Sequence, residues 1–116
     1  MSGPQTLCVD VGGTAIRAAL LAPNATDAGD RIRIATPYPF APADLVALVS
    51  TFVADLGPPD RISVAFPGMV RQGRVLTAPF FVRRGGPGTA RAEDLAEAWE
   101  GCDLAGLLRD LSLIHI

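Results

Sequence analysis

Residues 10–17, DVGGTAIR, directly follow the apolar run at residues 7–9 and constrain the fold more than any other segment. Two adjacent glycines permit positive φ angles and remove Cβ atoms from a turn, so backbone N–H groups can approach a phosphate closely. The same pattern also fits a plain tight β-hairpin, in which the glycines serve only the turn. Both interpretations predict a strand, a glycine turn and a second strand.

The groups in this segment suit a nucleotide phosphate. Gly12 and Gly13 offer backbone amides, and Thr14 adds a hydroxyl donor. The Asp10 carboxylate suits hydrated Mg²⁺, which keeps several waters and takes few carboxylates. Arg17 can either neutralise a phosphate or pair with Asp10. The chain has neither a G-x-G-x-x-G motif that opens a helix nor a G-x-x-x-x-G-K-[ST] loop, so the two commonest phosphate motifs are excluded here.

Hydrophobic periodicity and turn residues predict an α/β chain. Proline-rich residues 36–42 form a crossover, Gly57-Pro58-Pro59 ends a helix, and Asp103 is placed to cap another. The predicted elements are strands at 6–11, 15–22 and 31–35 with a turn over 24–30, a helix over 45–56, a strand at 61–66, a hairpin over 70–76 that turns at Gln72-Gly73, and helices over 93–99 and 104–111.

Composition limits the class of partner. The 116 residues suffice for one small core, and the net charge of −2 argues against nucleic acid or an anionic membrane surface as a partner. Apolar stretches are far shorter than a membrane span. Cys8 and Cys102 lie far apart, outside any C-x-x-C motif, which fits a reducing cytoplasm.

Several segments together resemble ROK-family sugar kinases of the actin and Hsp70 superfamily. Residues 10–17 resemble the first phosphate motif, D-x-G-G-T-x-x-R/K. Residues 61–70 resemble the family's strand-to-loop segment, and residues 73–79 resemble the hairpin that follows it. Residues 85–89 and 99–104 are similar to the linker and helix start that precede its catalytic strand. These matches follow the family's order along nearly the whole chain.

The resemblance implies a ribonuclease-H-like (actin-like ATPase) lobe whose mixed sheet opens β-β-β-α-β and is truncated at the C-terminus. It implies a cytoplasmic, homo-oligomeric parent that transfers the γ-phosphoryl group of ATP, with Mg²⁺, to a hexose such as glucose. In that parent Gly12, Gly13 and Thr14 would cradle the phosphate, Asp10 would hold hydrated Mg²⁺, and Arg17 would support the charge.

Three positions match the family's sugar-binding loops. Gly68 and Pro79 would approach the hexose, because a glycine at a strand end lets backbone groups meet hydroxyls closely. Phe80 stands where the family often has Asn after its Ala-Pro pair, so a hydroxyl-binding amide is missing and the identity of the sugar stays open. An ordinary turn is the alternative interpretation of Phe66-Pro67-Gly68.

Arginines are frequent in the second half of the chain. Residues 70–73 are similar to the matching segment of polyphosphate-using glucokinases, which makes polyphosphate an alternative phosphoryl donor. The other interpretation is that these are solvated surface side chains, at Arg71, Arg74, Arg83, Arg84 and Arg91.

The family's catalytic base, the Asp of an Asn-Asp motif, would come shortly after residue 116, so we expect this chain to be inactive by itself. We assign residues 1–111 to a partial N-terminal lobe. Residues 112–116 differ in composition and predict either a non-native tail or the family's next strand. Two other functions stay open: a non-catalytic sugar- or nucleotide-binding module, and the sugar lobe of a ROK-type repressor.

Overall fold

A mixed four-stranded sheet carries the glycine turn at one end. The computed structural model describes residues 5–21 and 27–112. The strand order is β3-β2-β1-β4; β1 is antiparallel to β2 and parallel to β4, and β2 is antiparallel to β3. The elements in chain order are β1 (Thr6–Val11), β2 (Ala15–Leu21), β3 (Asp27–Ala35), α1 (Pro42–Leu56), β4 (Arg61–Ala65), β5 (Val70–Arg71), β6 (Arg74–Val75), α2 (Glu93–Trp99) and α3 (Leu104–Ser112).

Alternation along β1 separates the core from the face that carries charge. Leu7, Val9 and Val11 are buried in the main hydrophobic cluster. Asp10 is exposed, because successive side chains of a strand point to opposite faces of the sheet. Its direct cross-strand partner on β2 is Arg17, so the two charged side chains share one face.

Helix α1 ends where its sequence predicts a stop, but it begins at Pro42 and not at the predicted Leu45. The last residue of the predicted crossover belongs to the helix, because proline is tolerated in the first helical turn, where its missing N–H is not needed. Pro42 occupies the first turn, and the Asp44 carboxylate accepts a hydrogen bond of 2.8 Å from the Ala41 N–H. Gly57 follows the helix with φ of 106°, a conformation that favours glycine, so the predicted helix end is confirmed. The helix packs on the sheet through buried Leu45, Val49 and Phe52.

Two further local predictions are confirmed. The hairpin of β5 and β6 turns at Gln72 and Gly73, whose φ values of 52° and 79° fit a turn with two left-handed residues. Asp103 caps α3, since its Oδ1 accepts a hydrogen bond of 3.1 Å from the Gly106 N–H.

An aromatic cluster fastens the second half of the chain to the sheet. Phe40, Phe66, Phe81 and Trp99 have ring centroids 5.1–6.1 Å apart in five pairs. The Trp99 indole N–H donates a hydrogen bond of 2.8 Å to the Phe40 carbonyl. Because these residues come from the crossover, the end of β4, a loop and α2, the cluster fixes four segments against one another.

The third strand is longer than predicted. It begins at Asp27, so residues 27–30, which were expected to belong to a turn, lie in β3. Asp27 pairs with Leu21 beyond a register shift in β2. The alternation of polar and apolar residues near Asp27 does not predict this pairing. Residues 22 and 24–26 and the tail at 113–116 lie outside the described residues.

The element order β1, β2, β3, α1, β4 gives an α/β architecture. The ribonuclease-H-like assignment of this architecture and its truncation stay predictions. Within the described ranges, no helix is long and apolar enough to cross a membrane.

Candidate functional site

The glycine turn (residues 12–14) joins β1 to β2 and packs closely against Ala15 and the ring of Phe80. The Gly12 N–H donates a hydrogen bond of 3.0 Å to the Ala15 carbonyl. A Cβ on Gly12 would lie 2.6 Å from that carbonyl oxygen, and a Cβ on Gly13 would lie 2.9 Å from Cδ2 of Phe80. Neither glycine has a positive φ, which corrects the expectation from the sequence. Lack of space, and not backbone conformation, excludes side chains here.

The crossover after β3 holds the carbonyl groups of this turn. The Thr36 hydroxyl donates to the Gly12 carbonyl at 2.8 Å, and the Tyr38 hydroxyl donates to the Gly13 carbonyl at 2.6 Å. The Thr36 main-chain N–H donates to the Thr14 carbonyl at 3.0 Å. Three consecutive carbonyl oxygens therefore have partners on one side of the turn.

Two of the three amide groups of the same turn have no acceptor within the described residues. Neither the Gly13 N–H nor the Thr14 N–H finds an acceptor among residues 5–21 and 27–112, and the exposed Thr14 hydroxyl has no partner there either. Adjacent unsatisfied N–H groups at a turn form a concave site for an anion. The glycine turn can therefore take phosphate oxygens through its backbone.

Asp10 and Arg17 lie beside the turn on the open sheet face. Asp10 Oδ2 is 3.9 Å from Arg17 Nη1, and the two side chains are 63% and 61% exposed. An exposed pair at this distance contributes only about 0–1 kcal/mol to stability, so it holds the carboxylate weakly. Of the two predicted roles of Arg17, pairing with Asp10 is the one seen in this structure.

The surroundings of Asp10 fit a hydrated magnesium ion. No group of three or more His, Cys, Asp or Glu side chains that could hold a metal occurs in the part of the chain that the structure describes. Mg²⁺ does not require such a cage, because it is commonly bound by one or two carboxylates together with phosphate oxygens and water. Asp10 is thus the candidate metal-binding residue.

A cleft of about 450 Å³ runs along this open face. Its lining includes the charged side chains of Asp10, Arg17 and Arg33 and the small side chains of Ser63 and Ala65. The arginines make the cleft attractive to anions. Asp10 lies in β1 just before the glycine turn, so the cleft and the turn are adjacent along the chain.

The Tyr38 hydroxyl is a donor at neutral pH, because a phenol is protonated there even at its ordinary pKa of 10.0. Desolvation raises the pKa of Tyr38 further, so the hydroxyl can still donate to the Gly13 carbonyl in more alkaline solution.

The predicted sugar-binding residues lie in a second region, the hairpin arm (residues 66–80). A Cβ on Gly68 would lie 2.1 Å from the Thr77 carbonyl oxygen, and the Met69 N–H donates to the Thr77 hydroxyl at 3.0 Å. Packing of the arm on itself is thus sufficient to require glycine at position 68. Pro79 and Phe80 are exposed, and the ring of Phe80 lies against Gly13. Phe80 is the predicted sugar-side residue that reaches the glycine turn.

Most of the arginines in the second half of the chain make hydrogen bonds or ion pairs with other residues of that half. Arg74 donates to the Gly101 carbonyl and Arg83 donates to the Thr89 carbonyl. Arg84 pairs with Asp94 at 2.7 Å, and its hydrogen bond lowers the pKa of that carboxyl. Arg91 pairs with Glu93 at 2.9 Å and with Glu100 at 3.6 Å. These contacts favour the interpretation as surface side chains over a track for a polyanion.

Thr36 and Tyr38 contact the glycine turn, although the sequence predicted only a crossover at these positions. A usable signal existed, because prolines at 37 and 39 favour an extended backbone, in which residues two apart project to the same side.

No protein-family profile matches the chain, and no curated protein does. The fold, however, is similar to that of solved sugar kinases. An inorganic polyphosphate/ATP-glucomannokinase from Arthrobacter sp. strain KM superposes with a TM-score of 0.72 and 23% identity, over 97% of this chain and 42% of that one.

Two further structures carry the ROK family name. A glucokinase from Streptomyces griseus, solved with glucose and AMPPNP, gives a TM-score of 0.67 and 22% identity over 96% of this chain and 31% of that one. A protein from Streptococcus pneumoniae TIGR4, solved with sucrose, gives 0.64 and 20%, over 96% and 32% of the two chains.

At these identities the similarity establishes the fold alone. This chain spans 31–42% of the length of these three proteins. The predicted resemblance is confirmed at the level of the fold: the structural neighbours include a ROK-family glucokinase, and the chain has the fold of the portion of it that it matches.

Proposed function

We propose that this chain forms the phosphate-binding part of an ATP-dependent hexose kinase and has no activity by itself. The observation that carries the proposal is the pair of free amides at Gly13 and Thr14 beside the exposed Asp10 carboxylate. A tight hairpin turn with no ligand would not need a carboxylate at that position.

Phosphoryl transfer depends mainly on positioning and on neutralising charge. The Gly13 and Thr14 amides donate to phosphate oxygens, and the Thr14 hydroxyl is a third donor. Asp10 would hold Mg²⁺ through the water shell of the ion, and the ion would supply positive charge to the phosphates. Arg17 has five N–H donors, so its pairing with Asp10 leaves others for phosphate.

The acceptor in this proposal is a hexose, with glucose first, and Gly68, Pro79 and Phe80 face it. The Streptomyces griseus neighbour was solved with glucose and AMPPNP, which supports this choice. Polyphosphate is a second donor, since the Arthrobacter neighbour is a polyphosphate/ATP enzyme. ATP is the preferred donor over polyphosphate, because most arginines in the second half of the chain have local partners and do not form a track for a polyanion. Cys8 and Cys102 are free thiols, which suits the cytoplasm.

A titration with Mg·AMPPNP, followed by ¹H–¹⁵N NMR of the labelled chain, tests the proposal. We expect the largest amide shifts at Gly13 and Thr14, and we expect Mg²⁺ to strengthen binding. Asp10→Asn should abolish the effect of Mg²⁺ because it removes the charge and keeps the size of the side chain. The matched control is Asp55→Asn, an exposed carboxylate on α1.

Shifts spread over the surface, or an equal loss in both variants, would contradict the phosphate site. A non-catalytic binding module would give the same titration as a kinase. Hexose phosphorylation by the whole protein that contains this sequence separates these two functions.

A further inference from the structure

The crossover after β3 does more than connect a strand to a helix. Its Thr36 and Tyr38 hydroxyls donate to the adjacent Gly12 and Gly13 carbonyls at 2.8 and 2.6 Å. These contacts join residues 24 and 25 positions apart, so tertiary structure and not the turn itself brings them together.

Both hydroxyls are held in place by packing. Thr36 is only 8% exposed, and it is the buried polar residue of the described core. The Tyr38 ring lies 6.0 Å from the Phe81 ring and packs so closely on Gly86 that a Cβ there would be 2.8 Å from its Cε2. The donors therefore keep one position and impose it on the carbonyls.

Peptide geometry transmits this constraint to the amides. The peptides of the turn are trans, and in a trans peptide the C=O and N–H bonds point in opposite directions. The Gly12 carbonyl shares its plane with the Gly13 N–H, and the Gly13 carbonyl shares its plane with the Thr14 N–H. A carbonyl held by the crossover therefore turns the next N–H away from it.

We propose that Thr36 and Tyr38 are positioning residues for the phosphate: Thr36 aims the Gly13 N–H, and Tyr38 aims the Thr14 N–H. This inference rests on the proposed phosphate-binding function of the turn. It adds that each of the two hydroxyls orients a different amide of the turn. Without them the Gly-Gly turn keeps its hairpin hydrogen bond from Gly12 to Ala15, but its peptide planes are free to rotate.

The test uses the full chain with inorganic tripolyphosphate as the probe. Tyr38→Phe keeps the ring and removes the donor, and Thr36→Val keeps the shape of Thr36. We expect Kd to rise by about 3- to 10-fold in each variant, the range for loss of one hydrogen bond. The shift of the Thr14 amide should shrink most in Tyr38→Phe, and that of the Gly13 amide in Thr36→Val.

Thr51→Val is the matched control, because the Thr51 hydroxyl also donates to a backbone carbonyl, that of Ala47, but on α1. It should leave Kd unchanged. Thr36→Ser should restore binding because it returns the hydroxyl. If Thr36→Val does not fold, Tyr38→Phe and Thr36→Ser still decide the matter.

Residual dipolar couplings of the free chain separate this inference from the proposed function, since they report the N–H directions without a ligand. If the Thr14 N–H direction changes in Tyr38→Phe while the wild type fails to bind tripolyphosphate, the positioning role stands and the phosphate site is wrong. If the directions and Kd of both variants equal those of the wild type, the positioning role is overturned.

Discussion

The glycine turn and the hairpin arm touch each other through Gly13 and Phe80, but they are stabilised differently. Donors from the crossover hold the turn on one side, and the carbonyls of residues 12–14 all accept a hydrogen bond. The arm presents large apolar side chains to solvent at Met69, Val70 and Leu76, which are 63%, 45% and 45% exposed. The turn has fixed carbonyls and two unpaired amides among the described residues, whereas the arm leaves apolar surface exposed.

Because of this difference, substitutions in the two regions should have different effects. Substitutions at the turn should change the binding of phosphate with little change in association. Substitutions on the arm should change association with little change in phosphate binding.

Under the proposed function, the largest effect is expected from Asp10→Asn in the whole protein that contains this sequence. Loss of the charge proposed to hold hydrated Mg²⁺ should lower kcat by at least about 100-fold, the scale of one preorganised charge interaction in a transition state. The KM for hexose should barely change, because Asp10 lies on the phosphate side. Steady-state kinetics at saturating MgATP measure both values, and an unchanged kcat would make Asp10 a structural residue.

Gly12→Ala and Gly68→Ala form a matched pair across the two regions. Each new Cβ would approach a backbone carbonyl oxygen, that of Ala15 at 2.6 Å or that of Thr77 at 2.1 Å. Both variants should lose about 1–3 kcal/mol of unfolding free energy in urea, the usual cost of overpacking. Only Gly12→Ala should also weaken the binding of tripolyphosphate. Equal weakening by both would show that the arm and the turn act as one site.

The exposed apolar surface of the arm predicts weak self-association at high protein concentration. Met69→Gln combined with Leu76→Gln should lower the sedimentation-derived association constant, while the melting temperature stays within a few degrees of the wild type. As a control, Thr51→Val on α1 should leave association unchanged. A wild-type chain that remains monomeric at high concentration would contradict this prediction.

The smallest effect concerns pH and the single tyrosine of the chain. Burial raises the pKa of Tyr38 in the folded state, so the folded chain holds this proton more tightly than the unfolded chain. The resulting stability is fully present below pH 10 and is lost as pH rises through the folded pKa. Tyrosinate absorbance should therefore titrate with a midpoint above 10. Stability of Tyr38→Phe should fall less than that of the wild type in this range.

Much of the fold was predictable because its signals are local. The end of α1 at Gly57, the turn at Gln72-Gly73 and the cap at Asp103 each depend on residues within one turn of helix or hairpin. Strand alternation in β1 and β2 likewise follows from the adjacent side chains. The start of β3 escaped prediction because Asp27 belongs to the strand only through its pairing with Leu21.

Local sequence patterns are enough to predict two strands that flank a glycine turn, with a carboxylate before the turn and an arginine after it. Tertiary structure alone decided which groups hold that turn: Thr36, Tyr38 and Phe80 reach it from 24, 25 and 67 residues away. It also decided that Gly12 and Gly13 are needed for space and not for a positive φ. Local sequence could not predict these contacts, because propensity, periodicity and capping act over a few residues. Contacts between distant segments depend on how the whole core packs.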